Sequence, residues 1–128
     1  MLLSIGLILG VLFYVLLLIT HVLILIRKIP YQLVNGGRNK SYEQQKKISI
    51  LSIIIAILGL MFLSFYWVLP TVVHHSIYLI LLSIMTLYWL LGVILQFMGT
   101  HFEKYAMSII AIIGFSGHLL YLIALIIS

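Results

Sequence analysis

Four long stretches without Lys, Arg, Asp or Glu constrain this chain more than any other feature of its sequence. They are residues 2–26, 48–69, 76–98 and 105–127. A helix needs about 20 mostly apolar residues to cross a hydrocarbon core of roughly 30 Å. Strands of a membrane β-barrel are shorter, about ten residues, and alternate polar with apolar positions. The sequence therefore predicts an all-α integral membrane protein with four transmembrane helices in a single domain.

The composition excludes a soluble domain. Of 128 residues, 65% are hydrophobic and 7% are charged, whereas soluble domains carry about 25% charged residues. The chain has no Cys, which excludes disulfides, thiolate metal sites and Cys nucleophiles. Residues 2–26 lack a basic leading region and a small-x-small cleavage site, so we expect a retained helix rather than a signal peptide.

The basic residues predict the topology. All of them lie in or beside the first connection, 27–47, or in the third connection, at Lys104. With four spans, these two connections share one side of the membrane, which the positive-inside rule makes cytoplasmic. Both termini are then extracytoplasmic, in a multi-pass protein of the cell membrane. The short connections favour antiparallel neighbours and predict an up-down bundle, with a dimer that shares helices as the alternative.

The first connection is the one sustained polar segment. Pro30 ends the first helix because the residue before a proline avoids helical geometry. Asn35-Gly36-Gly37 predicts a turn. Ser41 followed by Gln44 is typical of a capping box, so the second helix should begin near Tyr42.

The cations of this segment have two interpretations. They could bind anionic lipid headgroups, at about 1 kcal/mol each, or they could only set the topology. Neither interpretation requires nucleic acid. The candidate headgroup ligands are Arg27, Lys28, Arg38, Lys40, Lys46 and Lys47.

Small and polar residues form one stripe on each helix, which is typical of helices that pack closely in membranes. Gly6 and Gly10 form a G-x-x-x-G pair that predicts either packing inside the bundle or contact with a second copy. We expect Gln96 to hydrogen-bond between helices. The other stripes are Ser49, Ser52, Ala56 and Gly59; Ser83, Thr86, Val93 and Gln96; and Ala111, Gly114, His118 and Tyr121.

The spans contain no carboxylate and the chain contains no Asp. Proton- and cation-coupled transporters generally place a carboxylate at membrane depth, so this absence counts against a transporter. It also removes a Ser-His-Asp triad and a paired-carboxylate mechanism, and we expect no enzyme activity.

The histidines are the remaining candidates for chemistry. His21 should lie about 9 Å from the cytoplasmic end of its helix and His118 about 20 Å from the same side, at 1.5 Å per residue. Depth therefore groups His21 with His101, and His118 with His74 or His75. Such pairs would suit haem b or a transition metal. The alternative is a neutral histidine hydrogen-bonded across the bundle, to Thr20, Tyr14, Gln96 or Ser116, and on that interpretation we expect no cofactor.

Three functions follow from these observations. The first is a membrane protein that acts through helix contacts with another membrane protein or with itself, such as an accessory subunit or an immunity protein against a membrane-active toxin. The second is a haem- or metal-binding redox or transfer subunit. The third is a small oligomeric transporter, and an enzyme acting on lipids ranks below it. The bias toward Ile, Leu, Lys and Asn suggests an AT-rich bacterial genome.

Overall fold

The computed structural model describes residues 1–128 and is all-helical. All four long helices have the length and apolar character needed to span a membrane. The predicted class, an all-α protein with four apolar helices, is thus confirmed. The helices are α1 (Leu2–Leu25), α2 (Tyr42–Val68), α3 (Ser76–Phe97) and α4 (Ser108–Ile127), and a π-helical turn, Glu103–Met107, leads into α4.

Helix α2 begins in the polar segment, ahead of its apolar span. Its first residue is Tyr42, and the Ser41 hydroxyl accepts a hydrogen bond from the Gln44 amide at 3.4 Å. The predicted start and N-cap are therefore confirmed. The Gln44 side chain accepts from the backbone amide of Lys40 at 2.9 Å, one residue earlier than a reciprocal capping box would place this bond.

The connection between α1 and α2 turns back over the end of the bundle. Asn35, Gly36 and Gly37 have φ angles of 53°, 65° and 66°. These angles lie in the left-handed region, which the two glycines adopt without steric penalty. The predicted turn is thus present. The Thr100 hydroxyl, in the connection between α3 and α4, donates to the Leu33 carbonyl. We call this end of the molecule, where residues 26–47 and 98–104 lie, the basic end.

Helices α1 and α4 run in opposite directions and approach closely. Gly6 faces the backbone of Tyr121, and Gly10 faces Gly117. Gly10 also meets the side chain of Leu63 on α2. The Gly6–Gly10 face is therefore packed against α4 and α2 within one chain, and a contact between two copies through these glycines stays a prediction.

Helix α1 packs against both α2 and α4, and α3 packs against α4. Helices α2 and α3 meet at the end opposite the basic end. There the Phe62 and Tyr78 rings stack with centroids 4.3 Å apart, and the Tyr78 hydroxyl donates to the Phe62 carbonyl at 3.1 Å. Toward the basic end, α2 and α3 are separated by a cavity.

The small and polar stripes of α1, α2 and α4 mostly face inward, as predicted, whereas in the α3 stripe Thr86 is buried and Ser83, Val93 and Gln96 are half-buried. Many Ile and Leu side chains elsewhere on the helices are exposed. A small, polar interior with an apolar exterior suits a bundle that is solvated by lipid. The buried stripe residues are Gly6, Gly10, Ser49, Ala56, Gly59, Thr86, Ala111, Gly114, His118 and Tyr121.

Candidate functional site

The cavity at the basic end has a volume of about 520 Å³, within the range of small-molecule sites. Its walls come from α1, the first connection, α2, α3 and the π-helical turn. Apolar side chains such as Leu17, Ile55 and Trp89 cover part of the wall. The polar residues that line it are His21, Asn35, Arg38, Gln45, Ser52, Gln96 and Glu103.

Glu103 forms the floor of the cavity at the basic end and is only 5% exposed. Its two carboxylate oxygens accept from the Gly36 amide at 3.0 and 2.9 Å. The second oxygen also accepts from the Thr100 amide at 2.8 Å. The carboxylate thus joins both connections of the basic end.

Local sequence explains this position. The Thr100 hydroxyl accepts from the Glu103 amide at 3.3 Å while the Glu103 carboxylate accepts from the Thr100 amide, which is a reciprocal capping box. Gly99 has no side chain to collide with the carboxylate, whereas a Cβ there would overlap it. Glu103 is not among the site residues predicted from the sequence, although the T-x-x-E spacing before an apolar helix is a signal for this capping box.

Gln96 differs from its prediction. We expected it to hydrogen-bond between helices, but its Oε1 is buried and has no hydrogen-bond partner. That prediction is wrong, because no donor of another helix lies within hydrogen-bond distance of Oε1. A buried acceptor without a partner loses about 1–3 kcal/mol of solvation, so this position of the Gln96 amide is unfavourable.

A chain of polar side chains fixes the wall opposite α3. Ser49 Oγ lies 3.1 Å from His21 Nδ1 and accepts from Gln45 Nε2 at 3.0 Å. Gln45 Oε1 accepts from Asn39 Nδ2, and Asn39 Oδ1 accepts from Asn35 Nδ2 at 3.1 Å. The chain therefore runs from the exposed connection to buried His21 and holds this wall in place.

His118 is hydrogen-bonded across the bundle. Its Nδ1 lies 2.7 Å from the Gly114 carbonyl, which can only accept, so Nδ1 carries the proton. Its Nε2, 2.9 Å from the Tyr14 hydroxyl, then accepts from that hydroxyl. A metal at Nε2 would need the lone pair that Tyr14 occupies. This arrangement matches the interpretation of a neutral bundle histidine, with one of the partners named for it.

The other histidines lie apart from this pair. His21 bonds Ser49, while His74, His75 and His101 are exposed. No group of three or more His, Cys, Asp or Glu residues is placed to hold a metal ion. The hydrogen bonds thus tie each buried histidine to a hydroxyl rather than to a second histidine.

The candidate headgroup ligands are all exposed. The Arg27 guanidinium lies 4.2 Å from the centroid of the Tyr42 ring. Arg38 borders the cavity, where its Nε donates to the Asn35 carbonyl at 3.4 Å. Among these cations, Arg38 is the one that lines the cavity.

No protein-family model matches this sequence, and comparisons with curated proteins and with solved structures give no match either.

Proposed function

We propose that this chain is a non-catalytic protein of the cell membrane that binds a phospholipid in the cavity between α2 and α3. The phosphate would lie at Arg38 and the acyl chains would leave between the two helices. The positive-inside rule, applied to the basic residues, supports a cytoplasmic position for the basic end. The termini are then outside, and the lipid would come from the cytoplasmic leaflet.

This proposal rests mainly on Gln96 Oε1, which has no hydrogen-bond partner. Oε1 is enclosed by protein atoms, and rotation of the Gln96 amide would turn it toward a cavity that also has apolar walls and a guanidinium at its edge. A phospholipid supplies chemistry for all three features: a polar headgroup for the acceptor, a phosphate for the arginine fork, and hydrocarbon for the walls. A soluble polar ligand would leave the apolar part of the cavity wall in contact with water.

The position of the cavity supports a lipid rather than a soluble ligand. It lies between helix ends beside the basic connections, which is the depth at which headgroups of the same leaflet would lie. Ile48, Leu91 and Leu95 line it and are themselves exposed on the bundle surface. Acyl chains that pass these residues would remain in hydrocarbon.

Functions through helix contacts, including an accessory subunit or an immunity protein, remain predictions of the sequence. A partner helix seated between α2 and α3 is the competing occupant. It would have to place a hydrogen-bond donor at Gln96, and it would compete with phospholipid for the same space.

Fluorescence of Trp89 tests the proposal. Trp89 lines the cavity and Trp67 is exposed far from it, so W67F leaves one reporter at the site. In W67F, phospholipids with brominated acyl chains should quench Trp89 more strongly than in W67F/Q96L. Removing one hydrogen bond should weaken binding by about two- to tenfold. The matched control is W67F/Q32L, which changes an exposed glutamine.

A second variant blocks the cavity without removing a polar group. A Cβ at Gly92 would have one neighbour, Trp89, at 3.8 Å, so the side chain of G92L would extend into the cavity. W67F/G92L should lose the extra quenching. Equal quenching in all four proteins, or displacement of brominated lipid by a co-purifying polypeptide, would overturn the proposal.

A further inference from the structure

We infer that the lipid headgroup carries a primary ammonium, which makes the preferred ligand an aminophospholipid such as phosphatidylethanolamine. This inference rests on the proposed function and names the chemistry of the same site. It is carried by the distribution of acceptors and cations around the cavity: acceptors lie inside, and the cation lies at the edge.

The interior offers acceptors to a ligand. Gln96 Oε1 has no partner. Glu103 Oε1 accepts one hydrogen bond, from the Gly36 amide, whereas a carboxylate oxygen has room for about two. All the hydrogen bonds to Glu103 come from backbone amides, so none of its bonded partners carries a positive charge.

A buried carboxylate favours a cationic neighbour, because an uncompensated charge away from water is unfavourable. An ammonium group supplies both the charge for Glu103 and the N–H donors for Gln96. An anionic group deep in the cavity would meet Glu103 instead and be repelled. The interior therefore selects for a donor with positive charge.

The edge of the cavity selects for the opposite charge. Arg38 lies there with its fork of donors, which matches phosphate oxygens. Phosphoethanolamine carries its phosphate and its ammonium two carbons apart. One headgroup can therefore bind Arg38 at the edge and the acceptors in the interior at the same time. Phosphatidylglycerol could donate hydroxyls to Gln96 but brings no positive charge to Glu103.

Phosphatidylcholine is the sharpest comparison, because it retains the positive charge and loses every N–H donor. Native mass spectrometry of the full chain in mild detergent, with equal amounts of the ethanolamine, choline and glycerol lipids of identical acyl chains, would measure the preference. We expect the ethanolamine lipid to bind about tenfold more tightly than the choline lipid, the equivalent of a hydrogen bond to a charged group.

Variants assign the preference to the two acceptors. Q96L should reduce the preference for ethanolamine over choline severalfold, and E103Q should reduce the preference for ethanolamine over glycerol by removing the charge. Q32L should retain both preferences. Because E103Q also alters the contact with Gly36, its helicity and melting temperature in detergent are measured first, and Q96L carries the test if E103Q does not fold.

The outcomes separate the two proposals. Equal binding of the ethanolamine and choline lipids would overturn the headgroup inference and leave the phospholipid proposal standing. Binding of none of the three lipids would overturn both. If soluble glycerophosphoethanolamine competes at the same concentration as the lipid, the site binds a free headgroup compound. This result would overturn the proposal that the ligand is a membrane lipid.

Discussion

The amide of Gly36 donates to both carboxylate oxygens of Glu103, at 3.0 and 2.9 Å, across 67 positions of sequence. This contact holds the connection between α1 and α2 against the start of α4. It also places a carboxylate at the floor of the cavity and keeps it buried. Together with the hydrogen bond from the Thr100 hydroxyl to the Leu33 carbonyl, this contact joins the two connections of the basic end.

Replacing Glu103 by alanine should destabilise the protein. The Gly36 and Thr100 amides would lose their acceptor, and hydrogen bonds to a charged group contribute about 1.5–3 kcal/mol each at most. We expect a loss of about 2 kcal/mol in the free energy of unfolding. This free energy is measured from the loss of helicity during denaturation in mixed micelles. E43A, which changes an exposed glutamate on α2, is the control and should change this free energy by less than about 0.5 kcal/mol.

Replacing Gly36 by alanine should have a related effect through the backbone. Its φ of 65° lies in the left-handed region, where a residue with a Cβ loses about 1–2 kcal/mol. G36A should therefore unfold more easily than the wild type by about that amount. An unchanged stability for both G36A and E103A would show that the connection is not anchored at this point.

The contact between α1 and α4 should not tolerate a methyl group at Gly117. A Cβ there would lie 2.6 Å from the Gly10 nitrogen and 2.9 Å from the Leu9 carbonyl carbon. Backbone atoms cannot move aside as a flexible side chain can, so G117A should destabilise the bundle by about 1–3 kcal/mol.

Gly92 provides the matched control for this substitution. A Cβ at Gly92 would make one ordinary contact, with Trp89 at 3.8 Å, so G92A should change stability by less than about 0.5 kcal/mol. Both variants are compared by thermal unfolding in the same detergent. Equal melting temperatures for G117A and G92A would contradict the close packing of α1 on α4.

The hydrogen bond between Tyr14 and His118 should contribute to stability without involving a cofactor. Y14F would leave His118 Nε2 buried without its donor. A double-mutant cycle with H118F should give a coupling of about 0.6 kcal/mol, the average for hydrogen bonds between membrane helices, and at most about 1.7 kcal/mol. We also expect an absorption spectrum of the wild-type protein without a Soret band, and a stoichiometric haem would contradict this assignment.

Gln96 should show opposite effects on stability and binding. Since its Oε1 is buried without a partner, Q96L removes an unsatisfied acceptor, which is nearly neutral or stabilising. We expect the melting temperature of lipid-free Q96L to equal or exceed that of the wild type, while lipid binding falls. A large loss of stability would mean that Gln96 has a structural role in the bundle.

The absence of Cys makes the orientation directly testable. Lys40 lies in the first connection and Ser128 at the end of α4. In intact cells, an impermeant maleimide should label S128C, whereas K40C should react only after the membrane is opened. The reverse pattern would place the basic end outside and remove the cytoplasmic leaflet as the source of lipid.

Several features of the fold could be predicted because they depend on local sequence. The long apolar stretches predict the helices, and small residues three or four positions apart predict the buried faces that include Gly6, Gly10, Ala56 and Gly59. The start of α2 follows from the cap at Ser41. Each of these features needs only neighbours within two helical turns.

The cavity could not be predicted in this way. It exists because α2 and α3 meet through Phe62 and Tyr78 but are separated toward the basic end, which is a relation between distant segments. The contact of Glu103 with Gly36 is likewise long-range. Gln96 was expected to have a partner because polar residues in membrane helices usually find one, and its lack of one became visible only in three dimensions.

Native mass spectrometry of the wild-type chain, purified from its own membranes in a mild detergent, would show whether the cavity holds a phospholipid. We predict one phospholipid bound per chain, retained in Q32L, reduced in Q96L and lost in G92L. A wild-type chain that carries no phospholipid, or variants in which Q96L and G92L retain as much phospholipid as the wild type, would contradict this prediction.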